Sequence, residues 1–169
     1  MPKIRLEKYS YRYAEQIINS KLQLKNEIES IILSVQDELE NLSRPKFNEL
    51  LEKAFLKKDW ESQPHVFEDR SDPSAKLDFY KNRIGIEVQF GHSSFIGIDL
   101  LKFQVASYSN LDTIDIGVYI VSTKNFQKIM QKEYIQKWNG SLNFEKVVKY
   151  LPHFKSAIQI PIYVIGIDL

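Results

Sequence analysis

The chain has 169 residues, 43% of them hydrophobic and 27% charged, the length and composition of one folded domain and not of a disordered or collagen-like chain. It contains no cysteine, which excludes a disulfide scaffold, a thiolate metal site and a cysteine nucleophile; its first residues lack the apolar core of a signal peptide, and no run approaches the roughly 18 apolar residues of a membrane span, so a cytoplasmic protein without a membrane role is expected. A net charge of +1 conceals an uneven spread: 11 basic and 9 acidic residues in 1–58, 4 and 8 in 59–101, and 8 and 5 in 102–169, an acidic middle that suits either a carboxylate site for a cation or ordinary solvated charge.

No internal repeat or Pro/Gly/Ser linker interrupts the chain, so one domain over 1–169 is expected, with a helical part at 1–58 and a sheet core at 64–169. A short, weak helix is expected after Tyr9. From Leu24, the residues Ile28, Ile31, Ile32, Val35, Leu39 and Leu42 recur at spacings of three and four, the stripe of one long helix. Ser43 and Pro45 form a start signal for a second helix whose inner face is Phe47, Leu50, Leu51, Ala54 and Phe55. The period then changes. His65 to Glu68 predicts a short strand, residues 69–74 a turn, and residues 77–79 and 83–90 two strands joined at Lys81-Asn82. Ile84, Ile86 and Val88 alternate onto one face, and Gly85, Glu87 and Gln89 onto the other. Residues 95–106 form an apolar helix broken by Asp99, Lys102 and Gln104, buried on more than one side. A strand at 114–120, a helix at 144–151 and an apolar closing strand at 158–167 complete an α/β fold, a mixed central β-sheet flanked by helices.

Hard divalent cations take oxygen ligands, usually one or two carboxylates with waters completing the shell. Asp78 on one strand and Glu87 on the next can meet across the hairpin, and the Val88 carbonyl lies between Glu87 and Gln89, whose side chains project the same way. By spacing alone the same residues also suit the polar face of a surface hairpin.

The run Leu77-Asp78-Phe79, followed by Ile86-Glu87-Val88-Gln89-Phe90, resembles the active-site hairpin of the BglII/BstYI-like type II restriction endonucleases, a branch of the PD-(D/E)XK nuclease superfamily. The likeness extends to Phe95 at the start of a helix, to residues 120–124, to residues 161–166 and to Glu27-Ile28-Glu29. The resemblance implies a restriction-endonuclease-like core in which Asp78, Glu87 and Gln89 are catalytic. Asp78, Glu87 and the Val88 carbonyl would be metal ligands, and Gln89 would stand where most relatives place Lys. A glutamine can orient an attacking water by hydrogen bonds but brings no charge. The cofactor implied is Mg2+, with Mn2+ as a substitute.

The activity implied is Mg2+-dependent hydrolysis of both strands of a short palindromic site in double-stranded DNA, leaving 5′-phosphate ends. The partners implied are a second copy of the chain, docked through the apolar helix, and a DNA methyltransferase acting on the same site. His92, Ser93, Ser94, Lys124 and Asn125 are candidate DNA contacts. Ser93 and Ser94 are equally suited to capping the following helix. Glu49 and Glu52, on the second helix, are candidates to approach the metal's waters, or form a solvated face. His65, His153, Trp60 and Trp138 are assigned to packing or surface. Two alternatives stand beside this reading: another nuclease of the same fold, acting in repair or nicking, and a DNA-binding module without catalysis.

Overall fold

A computed structural model describes residues 2–72, 75–109 and 112–169. Its centre is a six-stranded mixed sheet in the order β1-β6-β5-β4-β3-β2. The strands are β1 (Arg5–Tyr11), β2 (Glu61–Ser62), β3 (Phe79–Lys81), β4 (Ile84–Val88), β5 (Ile116–Ser122) and β6 (Ile162–Asp168). The pairs β4–β5 and β5–β6 are parallel, and β1, β2 and β3 join antiparallel. The helices are α1 (Ala14–Ser20), α2 (Leu22–Leu33), α3 (Arg44–Leu56), α4 (Ile96–Tyr108), α5 (Lys124–Glu133) and α6 (Phe144–Tyr150). Among the described residues no helix is long and apolar enough to cross a membrane.

Period-two alternation in the central strands divides the core into two layers. Ile84, Ile86, Val118, Ile120, Ile165 and Ile167 face α1, α2, α3 and α5. Tyr119, Val121, Ile162 and Val164 face α4 and α6. Both faces of the parallel strands are therefore covered, and β5 is buried along its whole length. Helix α4 lies very close to β5: a Cβ on Gly117 would stand 2.7 to 3.0 Å from three ring atoms of Phe103. Glycine is what lets the Phe103 ring rest directly on the strand.

Several expected elements differ. The first element is a strand, β1, where only a short helix after Tyr9 was expected. Its residues RLEKYSY are polar along an edge, and its partner β6 is far away in sequence, so no local pattern announces it. The long stripe from Leu24 is buried as expected, but α2 ends at Leu33 and residues 34–41 continue as a 3-10 segment. The strand expected at His65 to Glu68 reduces to a single bridge, His65 to Lys76, while β2 forms earlier. The hairpin turn falls at Asn82-Arg83, both with positive φ, one residue later than expected. The turn expected at 69–74 is described only in part, because residues 73 and 74 lie outside the described residues. Helix α5 was not expected at all; Thr123 caps it by accepting from the Phe126 N–H, and Phe126, Gln127 and Met130 form its buried face.

The end of β4 is anchored by an aromatic cluster. Phe90 stacks on Phe47 with ring centroids 4.8 Å apart and meets the edge of Trp138 at 5.1 Å. Trp138 also meets Phe126 at 4.9 Å and donates from its indole N–H to the Leu42 carbonyl. The two tryptophans are buried, as packing residues should be.

Candidate active site

Asp78 stands one residue ahead of β3, between two strands. Its N–H donates to the Ile86 carbonyl at 3.0 Å, and its own carbonyl accepts from the Gln63 N–H at 2.9 Å. With the backbone pinned on both sides, the Asp78 carboxylate turns onto β4, where Oδ2 accepts from the Val88 N–H at 2.7 Å. In an extended strand the N–H and C=O of one residue point to the same side, so the Val88 carbonyl also looks toward Asp78. The carboxylate borders a pocket of about 170 Å³ whose polar lining includes Asn48, Glu52, Ser62 and Gln63.

Glu87 lies on the opposite face of β4 from Ile86 and Val88 and is 2% exposed. Lys102, from α4, places Nζ 2.7 Å from Glu87 Oε1 and 3.4 Å from Asp99 Oδ1, and donates to the Lys76 carbonyl at 3.1 Å. The contact with Glu87 is close but not aligned as a hydrogen bond, which leaves Oε1 buried without one. Asp99 is itself buried. Its Oδ2 accepts from the Tyr119 hydroxyl at 2.7 Å and from Gln89 Nε2 at 2.7 Å.

Three carboxylates, those of Asp78, Glu87 and Asp99, thus share a desolvated region with one ammonium. Burial is the main cause that pushes the Asp78 carboxyl above the ordinary carboxylate range, helped by the charges of Asp99 and Glu52, while the Val88 N–H and Lys102 oppose it. Glu87 is pushed well above that range, first by burial and next by the Asp78 charge, with Lys102 again opposing. The Asp78 charge thus penalises ionisation of Glu87, as expected of two acids held close together. Lys102 is held above its usual value by its acidic neighbours, Glu87 foremost, although burial works against its charge.

Among the described residues no three His, Cys, Asp or Glu side chains converge as a metal-binding group. The donors on offer are two carboxylates and a carbonyl, a set that suits a hard divalent cation keeping several waters. The charge also fits. With all three acids ionised and Lys102 protonated the cluster carries two negative charges, which a divalent cation would balance.

The other residues singled out in the sequence are dispersed. Gln89 spends its amide on the protein: Nε2 on Asp99 and Oε1 on the Gly91 N–H at 2.8 Å. Glu52 borders the Asp78 pocket, whereas Glu49 is exposed and ion-paired with Lys46 and Lys53. His92 is the residue that caps the 3-10 turn leading into α4, its Nδ1 accepting from the Ser94 N–H; Ser93 accepts from Lys146 Nζ at 2.9 Å. Lys124 begins α5 with its N–H on the Glu145 carboxylate. Asn125 ties the same helix to the chain end through Asp168 and Leu169. His65 and His153 are not among the residues that contact the carboxylate cluster. Sequence reasoning passed over Asp99, Lys102 and Tyr119. Asp99 and Lys102 looked like interruptions of an apolar helix, yet their spacing of three puts them on one helical face, and that spacing was the available signal.

The hairpin of a six-stranded mixed sheet thus carries paired acids beside a largely buried lysine. The family model for the restriction endonucleases BglII/BglIII matches residues 6–167, and the chain belongs to that family, which makes it a type II site-specific deoxyribonuclease. The crystal structure of restriction endonuclease BglII complexed with a DNA 16-mer superposes with a TM-score of 0.78 at 18% identity, covering 98% of this chain and 77% of that one. The crystal structure of free BglII gives a TM-score of 0.62 at 21% identity, over 96% of this chain and 78% of that one. Comparison with curated proteins gives no match.

Proposed function

We propose that the Asp78–Glu87 hairpin is the catalytic centre of a Mg2+-dependent restriction endonuclease that cuts both strands of a short palindromic DNA site and leaves 5′-phosphate ends. Family membership implies divalent-metal dependence in general; Asp78, Glu87 and the Val88 carbonyl are the residues that would hold the ion. A cation held there would lower the pKa of a bound water, so that hydroxide is available near neutral pH, and would offset charge building on the phosphoryl oxygens. The protein's own part is to keep the two carboxylates together. The Val88 N–H orients Asp78, and β4 carries Glu87 in a buried position. The observation that carries this reading is the pairing of buried Glu87 with half-buried Asp78, whose charge adds to the cost of ionising Glu87.

DNA would approach over the loop at 91–94 and the start of α5, with His92, Ser93, Ser94, Lys124 and Asn125 near the phosphates. Cutting two strands at a two-fold site asks for two active sites related by the same symmetry. Helix α4 offers a surface for that pairing: Phe95, Ile98, Leu101 and Tyr108 are large apolar side chains left about half or more exposed, and α4 also holds Asp99 and Lys102. A second copy of this chain would cover that row and couple the two cutting centres. A nuclease of this kind in a living cell requires its own site to be modified in the host DNA, so a DNA methyltransferase of matching specificity is the implied companion.

Incubating the purified protein with Mg2+ and phage-sized DNA, followed by sequencing of the fragment ends, tests the reading. Ends clustered at one palindrome support it. Nicked circles from plasmid DNA favour a repair or nicking enzyme, and DNA binding without Mg2+-dependent cutting favours a binding module.

A further inference from the structure

Position 89 is where the strand could deliver a side chain alongside Glu87, and the residue there brings no charge and is already committed. Its carbonyl holds the Gly91 N–H and its amide nitrogen holds Asp99. The cation of the cluster arrives from the other direction. Lys102 reaches in from α4, with 11% of its side chain exposed, and touches oxygens of Glu87, Asp99 and Lys76. Three oxygen partners, on β4, on α4 itself and on the segment ahead of β3, fix the ammonium in place. The helix that carries it is itself set against the sheet by the contact of Phe103 with Gly117. Lys102 is also the cation whose charge bears on both Asp78 and Glu87.

We propose that Lys102 is the positively charged positioning residue of this active site, acting through Glu87 from helix α4 in place of a lysine on the hairpin strand, while Gln89 holds Asp99 so that Asp99 and Glu87 flank the ammonium. This rests on the assignment of Asp78 and Glu87 as the metal carboxylates. The ammonium holds Glu87 in place and partly balances its charge, so the carboxylate is already oriented before the substrate arrives, and that preorganisation is what lowers the barrier.

The proposal separates metal binding from catalysis. Lys102 competes electrostatically with a divalent cation for Glu87, so its removal strengthens metal binding while slowing the reaction. Lys102→Gln is expected to bind Mg2+ severalfold more tightly in calorimetric titration of the DNA-free protein. At saturating Mg2+ it should cleave on the order of 100-fold more slowly, the size of effect seen when one preorganised electrostatic contact is lost. Lys102→Arg, which keeps the charge, should stay within about tenfold of the wild-type rate and bind Mg2+ as the wild type does. It also serves as the folded comparison if the glutamine variant loses its circular dichroism or melting transition. Weaker or unchanged Mg2+ binding in folded Lys102→Gln, full recovery of its rate at excess Mg2+, or an arginine variant as slow as the glutamine one would overturn the proposal. If the wild type itself binds Mg2+ but cuts no DNA, the nuclease reading fails, and the titration still decides whether Lys102 acts on the metal site.

Discussion

The Asp78 carboxylate accepts a 2.7 Å hydrogen bond from the N–H of Val88, which fastens the residue before β3 to the strand that carries Glu87. Without that bond Asp78 would be free to turn into the pocket beside Glu52. With it, Asp78 stays near enough for its charge to raise the cost of ionising Glu87. Replacing either acid by alanine is therefore expected to lower cleavage by a factor on the order of 10³ while DNA binding, measured by gel shift in Ca2+, stays equal or tightens as a negative charge near phosphate is removed. A variant that cuts at the wild-type rate would contradict the assignment.

Both acids hold their protons more tightly in the folded chain than in the unfolded one. A group with a raised folded value supports the fold fully below its unfolded range and withdraws that support as pH rises through the folded value. In the metal-free protein these two groups therefore become a liability toward neutral pH, and a divalent cation relieves it. The rise in melting temperature on adding Mg2+ should be large near pH 8, fade toward about pH 5, and be accompanied by proton release on binding. Calorimetry in buffers of different ionisation enthalpy checks this. An equal shift at both pH values would contradict the pairing.

Glycine at position 117 sets the distance between β5 and α4. A methyl group there meets the Phe103 ring at 2.7 Å, so Gly117→Ala must push the ring and its helix outward. The expected cost is about 1–3 kcal/mol, read from urea unfolding. Because α4 also carries Asp99 and Lys102, cleavage should fall more than the residual folded fraction explains. A variant that keeps wild-type cleavage would show that the seating of α4 does not matter to the site.

Ile98, Leu101 and Tyr108 of α4, with Phe95 just ahead of it, are apolar side chains left exposed. If a second copy of the chain covers them, Leu101→Asp should yield monomers in sedimentation velocity and convert double-strand cutting of plasmids to nicking or to none. A wild-type protein that sediments as a monomer at micromolar concentration in the presence of DNA would remove this face from consideration.

The hairpin was legible because its chemistry and its packing share one period. Ile84, Ile86 and Val88 turn to one layer and Glu87 to the other, so alternation alone placed the acid. Helix α3 was equally plain, since Ser43 accepts from the Lys46 N–H at 3.3 Å as its start signal suggested. What escaped depends on partners distant in sequence. Strand β1 is defined by pairing with β6 at the far end of the chain, and its own residues alternate poorly. Lys102 and Asp99 gain meaning only when α4 is laid against β4 and β5. The amide of Gln89 looked available in sequence because its bond to Asp99 forms only when α4 packs on the sheet.

The most direct measurement is anomalous diffraction from crystals of the protein grown with duplex DNA and Mn2+. The account predicts a peak in contact with a carboxylate oxygen of Asp78, a carboxylate oxygen of Glu87 and the Val88 carbonyl, with Lys102 still beside Glu87. A peak that touches neither acid, or carboxylates of Asp78 and Glu87 turned so that no single ion can reach both, would contradict it.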